Sequence, residues 1–179
     1  MNEYYNLKNL VLAPYILKAT ALIQIERRIG GNQFRHAFST LGILLDYKYY
    51  HNSILLKASL LHDLFEDLEG SSQDEIRKID DDGEEVVQLV LEVTRLKNES
   101  KKEYLKRILR QGSEMALILK CADRISNLTD LHLPEFRKQK IESYLHQTED
   151  FVLPMAEKVN RNMFKEITDL IQKRREILR

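Results

Sequence analysis

Apolar residues recur along the chain at three- and four-residue spacing, and no convincing strand-like alternation interrupts them, so the pattern predicts a helical protein. Between Tyr5 and Arg28, the positions Leu10, Val11, Ile16, Leu17, Ala21 and Ile25 mark one or two helices, interrupted near Pro14 and closed by Gly30-Gly31-Asn32. His36 to Asp46 and Asn52 to Asp67 read as two further helices. The second takes Asn52 or Ser53 as its N-cap and carries Ile54, Leu55, Ala58, Leu61, Phe65 and His62 on one face. Ser72-x-x-Glu75 and Ser100-x-x-Glu103 match the capping box, in which the serine satisfies an orphan amide and the glutamate reaches back, so each starts a helix. Asp80-Asp81-Asp82-Gly83 between them is a turn. Helices are then predicted over Glu84 to Leu96, Ser100 to Arg110, Glu114 to Leu131, Glu135 to Lys158 and Asn162 to Ile177. With no internal repeat and no long linker, residues 1–179 are expected to form a single domain.

Composition sharpens this reading. A chain of 179 residues with 43% apolar and 31% charged positions has enough apolar surface for one packed core behind a charged shell. The 28 Lys and Arg cancel the 28 Asp and Glu, which removes the general attraction that draws proteins to nucleic acids or membrane surfaces. An anionic substrate must therefore be held by a local cluster. Cys121 alone excludes an intramolecular disulfide and a cysteine-based zinc module. No basic stretch leads into an apolar run at the N-terminus, and no apolar run approaches the roughly 18 residues of a membrane span. A cytoplasmic protein with neither a membrane nor a nucleic-acid partner is expected. The basic run Lys173-Arg174-Arg175 is read as the cation-rich end of a helix.

Candidate chemistry gathers at two histidines. His36 follows a helix start, and His62 is followed by Asp63 and, within a turn, by Glu66-Asp67. Downstream, Asp123 stands between Leu117, Ile118, Leu119 and Ala122 on one side and Ile125 and Leu128 on the other. A carboxylate in so apolar a helix is costly to bury unless it is paired or ligates a metal, and Arg124 or Lys120 is the alternative partner. Together, His36, His62, Asp63 and Asp123 supply two imidazoles and two carboxylates from three helices. Such a mixed set suits one divalent cation such as Mn²⁺, Fe²⁺ or Zn²⁺. His51, His132 and His146 have no partner at ligand spacing and are read as surface or structural.

The order His, His-Asp, Asp resembles that of the HD-domain metal-dependent phosphohydrolases. More narrowly, His62-Asp63-Leu64-Phe65-Glu66-Asp67 and Lys120-Cys121-Ala122-Asp123-Arg124-Ile125-Ser126-Asn127 resemble the H-D-x-x-E-D and K-x-A-D-R-x-x-N motifs of the RelA/SpoT-homologue hydrolase domain. Arg27-Arg28-Ile29-Gly30 ahead of His36, the segment Glu84 to Thr94, and Pro154-Met155-Ala156 extend the likeness over roughly Ala21 to Ile171. The resemblance implies an all-α HD-domain helical bundle that uses one Mn²⁺ ion and removes the 3′-pyrophosphate from the alarmones guanosine tetra- and pentaphosphate, (p)ppGpp. The chain stops where a synthetase domain would begin, which implies a stand-alone small alarmone hydrolase of the stringent response.

In that frame Glu66 and Asp67 position or deprotonate the attacking water. Arg27 and Arg28 hold the nucleotide base, and Asn127 bonds ribose or phosphate. Lys120 either reaches phosphate or pairs with Asp123, and Lys101, Lys102 and Lys106 at a helix start help hold the polyphosphate. The chain departs from the family where Gly31-Asn32-Gln33 stands in place of a glutamate-proline-tyrosine run, at Leu68, and at Asp130. These changes leave the metal site whole and alter the walls that choose the nucleotide. Two other readings are therefore a phosphohydrolase of an adenine alarmone, deoxynucleotide or dinucleotide cofactor, and an idle alarmone sensor.

Overall fold

The structure, a computed structural model, describes residues 9–131 and 138–178. It is all-α, and among the described residues extended pairing is limited to one isolated bridge between Glu26 and Asn32. The chain divides into two compact units. The first runs to Arg27 and resumes over Gly31–Thr94; the second comprises Arg28–Gly30 and the described residues from Arg95 onward.

In the first unit, α1 (Ala13–Ala19) leads into a 3₁₀ turn (Thr20–Gln24), followed by α2 (Gln33–Asp46), α3 (Ser53–Leu61), α4 (Leu64–Asp67), α5 (Gln73–Arg77) and α6 (Gly83–Val93). Helix α3 is the hub, packed against α1, α2 and α6. Every residue from Leu55 to Leu61 is buried, Lys57 among them. A buried ammonium needs compensation, and Lys57 Nζ lies 2.7 Å from both Asp80 Oδ2 and Asp82 Oδ2. Tyr15 donates to Asp80 at 2.7 Å and Ser53 to Asp82 at 2.7 Å. The Asp80 to Gly83 turn is thus tied into the core by the one cation beneath it.

The second unit contains α7 (Lys101–Gln111), α8 (Glu114–Asp130), α9 (Lys138–Gln147), a π turn (Thr148–Val152), α10 (Leu153–Val159) and α11 (Arg161–Ile177). Helix α8 is its axis, packed against α10 and α11. Ser113 caps α8, and Ser100 with Glu103 forms the reciprocal box expected at the start of α7. Ser72 accepts from the Glu75 amide as expected.

Several boundaries differ from the pattern. Pro14 sits in the first turn of α1, where its missing N–H costs nothing, so it begins a helix where an interruption was expected. The helix expected over Asn52 to Asp67 breaks at His62-Asp63, and the expected Glu135 to Lys158 helix is divided by the π turn before Pro154. Proline cannot donate, and its ring crowds the carbonyl four residues back, which forces the wider turn there. Arg174 and Arg175 are engaged rather than solvated. Arg174 donates to the carbonyls of Leu128 and Thr129 at 2.7 and 2.8 Å, and Arg175 grips both carboxylate oxygens of Glu149 at 2.6 and 2.7 Å.

Candidate functional site

The site begins at the turn before α2. Gly30 and Gly31 adopt φ of 86° and 71°, the left-handed region open to glycine, and the turn closes through Arg27 N–H to Gly31 O and Gln33 N–H to Ile25 O. It holds Arg27 half-buried and Arg28 exposed. Asn32 then caps α2, its side chain accepting from the Arg35 amide at 2.9 Å. One turn inside the helix comes His36, 2% exposed.

His62, 4% exposed, ends α3. Its Nδ1 lies 2.8 Å from the Ser59 carbonyl, which only accepts, so Nδ1 carries a hydrogen and Nε2 is the nitrogen turned toward the other site residues. That Nε2 faces His36 Nε2 at 3.3 Å. Asp63 Oδ2 stands 3.3 Å from His62 Nε2 and 3.7 Å from His36 Nε2. Two imidazole nitrogens and a carboxylate oxygen thus share one spot in the first unit. Two buried imidazole nitrogens beside a carboxylate fit a divalent cation, with the Ser59 carbonyl orienting a ligand from behind.

The break at Asp63 starts α4, whose single turn is closed by Asp67 N–H to Asp63 O at 2.9 Å. Glu66 is exposed and Asp67 half-buried. Burial, then the charge of Asp63, raises the Asp67 carboxyl above its usual range, while Gln33 Nε2, donating at 2.5 Å, and His62 act the other way. A carboxylate with raised pKa beside metal-ligand chemistry is suited to accept a proton from water.

In the second unit, Asp123 is 5% exposed at the middle of α8. Lys120 Nζ lies 2.5 Å from its Oδ2, and Asn127 Nδ2 donates to its Oδ1 at 2.5 Å and to its main-chain carbonyl at 3.0 Å. Of the two readings for Lys120, the charge partner of Asp123 is the one seen. Burial alone would lower the Lys120 ammonium, but the Asp123 charge outweighs it and holds it well above the usual amine range. Arg124, buried, donates to Thr148 Oγ1 at 2.8 Å and lies 4.1 Å over the Tyr144 ring, with Lys101 Nζ 5.0 Å from the same ring. Removal from water, then Arg124 and Lys120, push Lys101 down to about 8. Arg124, Lys120 and Arg95 thus all act on Lys101 as like charges, with Asp123 opposing them. Burial pushes Cys121 up to about 12, which makes it an inert core thiol.

Sequence reasoning missed Tyr144 and the role of Gln33. Nothing in the periodicity marks Tyr144, and Gln33 stands out only as a departure from the family segment. His51 and His146 are exposed, as expected, and His132 lies outside the described residues.

No family model matches the chain. In sequence it is 30% identical over 132 residues to a probable guanosine-3′,5′-bis(diphosphate) 3′-pyrophosphohydrolase of Mycoplasma pneumoniae; the match takes in 65% of this chain and spans 17% of that relative's length. In structure it superposes with a TM-score of 0.79 at 23% identity on a metazoan orthologue of SpoT that hydrolyses ppGpp, covering 91% of this chain and 94% of the other. The chain has the SpoT orthologue's fold. The likeness to RelA/SpoT-homologue hydrolases carried by the two motifs is thereby borne out.

Within this SpoT-like fold the departures acquire structural roles. Asn32 is a helix cap, and Gln33 holds Asp67. Leu68 caps the C-terminus of α4 and, with Leu17, Ala21, Leu64 and Ile76, lines a cavity of about 390 Å³. The negative charge of Asp130 acts on Arg174. No helix of the described residues is long and apolar enough to cross a membrane.

Proposed function

We propose that this chain, as a single hydrolase domain, removes the 3′-pyrophosphate from a guanine alarmone, (p)ppGpp, with one Mn²⁺ held by His36, His62 and Asp63 of the first unit and Asp123 of the second. The observation that carries this reading is the meeting of His36 Nε2, His62 Nε2 and Asp63 Oδ2 within 3.7 Å, with His62 Nδ1 committed to Ser59. The sequence relative and the structural neighbour, both ppGpp hydrolases by description, support the substrate class. The cation, when bound, supplies Lewis acidity and a water of lowered pKa.

The chain's own groups do the rest. Asp67, held by Gln33, takes a proton from the attacking water, and Glu66 beside it orients that water. Water oxygen bonds to the phosphorus next to the ribose 3′ oxygen, the bond from that phosphorus to the 3′ oxygen breaks, and the 3′ oxygen leaves with the proton that the Asp67 carboxyl returns. Free pyrophosphate and a nucleoside 5′-polyphosphate result. Lys120 and Asn127 hold the Asp123 carboxylate in one orientation until it is needed as a ligand. Arg27 and Arg28 hold the base by stacking and charge, and Lys101 with its cationic neighbours offsets polyphosphate charge.

Incubation of the purified protein with Mn²⁺ and a panel of guanine and adenine polyphosphates, with products identified by mass, tests this reading. Pyrophosphate and GDP from guanosine tetraphosphate are expected. An intact guanine substrate, with turnover of an adenine compound alone, would overturn the guanine assignment.

A further inference from the structure

Resting on the function proposed above, we infer that Gln33 is a positioning residue for the reaction: its side-chain amide fixes the Asp67 carboxylate, and its carbonyl is left to accept a hydrogen bond from an ordered water beside that carboxylate. Gln33 is the first residue of α2, placed by the Asn32 cap and by its own N–H to Ile25 O at 2.9 Å. Its backbone is therefore fixed before its side chain acts. Nε2 donates to Asp67 Oδ2 at 2.5 Å across 34 positions of sequence, joining the start of the helix that carries His36 to the turn that carries Glu66-Asp67.

The orientation of the amide follows from chemistry, because a carboxylate accepts and only the NH₂ end of glutamine donates. Oε1 is consequently turned elsewhere, and it is buried without a protein partner among the described residues. A buried acceptor left unsatisfied is costly, and water is the donor available beside a site that consumes water. The charged and titratable groups acting on Asp67 are Asp63, Glu66 and His62, of which the two carboxylates push its pKa up. The Gln33 bond keeps the Asp67 side chain aimed. Here the segment that departs from the RelA/SpoT-homologue pattern supplies the contact.

The test compares wild type with Gln33→Leu, which deletes both polar ends, and Gln33→Glu, which keeps an oxygen acceptor and replaces the donor with a negative charge. Both variants remove the NH₂ donor that reaches Asp67 Oδ2. With Mn²⁺ and guanosine tetraphosphate, kcat should fall about 10- to 100-fold in both, with KM and Mn²⁺ affinity changed by less than about twofold. If the leucine variant does not fold, Gln33→Met removes the same two groups with a more flexible side chain. An active wild type whose kcat survives Gln33→Leu, or a loss in that variant that lies in KM or Mn²⁺ affinity rather than in kcat, overturns the inference. Failure of the proposed function would look different, as a wild type that turns over no guanine alarmone.

Discussion

At His62 one carbonyl sets the chemistry of the ring. By binding the Nδ1 hydrogen, Ser59 O turns Nε2 toward His36 and Asp63. Residues that gather around that point should separate cleanly in their effects. Asp63→Ala should abolish both Mn²⁺ binding by calorimetry and turnover, whereas the pair Glu66→Gln with Asp67→Asn should keep the ion and lose activity by about 100-fold or more. Full activity in the double variant would remove the water-handling role of that pair. Lys120→Met should destabilise the metal-free protein by about 3 kcal/mol in urea unfolding, because Asp123 would be left charged and 5% exposed. Added Mn²⁺ should restore part of that loss; if the melt is unchanged, the Lys120 and Asp123 pair is not what holds the carboxylate. At this scale the sequence showed a good deal. Histidine followed by aspartate, and a carboxylate amid leucines and isoleucines, are visible because burying such groups is costly. The Gln33 to Asp67 bond is not, since a glutamine at a helix start looks like any polar surface residue until the turn across from it is known.

Among the helices, local chemistry proved readable where a side chain meets its own backbone. Asn52, Ser72 and Ser100 cap as their spacing implied. Less readable were features set by distant packing. The break at His62-Asp63 contains neither glycine nor proline; buried side chains all along α3 and the bond from His62 Nδ1 to the Ser59 carbonyl hold it. Helix α2 ends with Lys48 at φ 64°, a left-handed position where glycine is the usual signal. Asn32 offers the sharpest test of an element. Asn32→Ala should cost about 1 kcal/mol in thermal or urea unfolding by removing the cap of α2, and Asn32→Ser should restore most of it. Equal stabilities for all three proteins would show that the cap does not anchor the helix bearing His36.

For the molecule as a whole, the all-α class was legible in the period of its apolar residues, whereas the division into two compact units was not, because nothing in composition or linkers marks Arg95. Stability against acid belongs to this scale. For Asp80, burial alone would raise the pKa, but bonds from Lys57 and Tyr15 override it; for Asp82, bonds from Lys57 and Ser53 lead, and both end below the usual range. A depressed folded pKa gives stability that is present above the unfolded value of about 3.9 and lost as pH falls through the folded value. Urea midpoints should therefore be level through mild acid and drop below about pH 4, with a shallower drop in Lys57→Met; equal slopes in the two proteins would contradict the role given to Lys57. The decisive measurement is pulsed electron paramagnetic resonance during a Mn²⁺ titration of the intact chain. One tight site coupled to two imidazole nitrogens, abolished by Asp63→Ala and weakened by Asp123→Ala, is the result expected. A Mn²⁺ signal that shows no nitrogen coupling, or that is unchanged by Asp123→Ala, would contradict it.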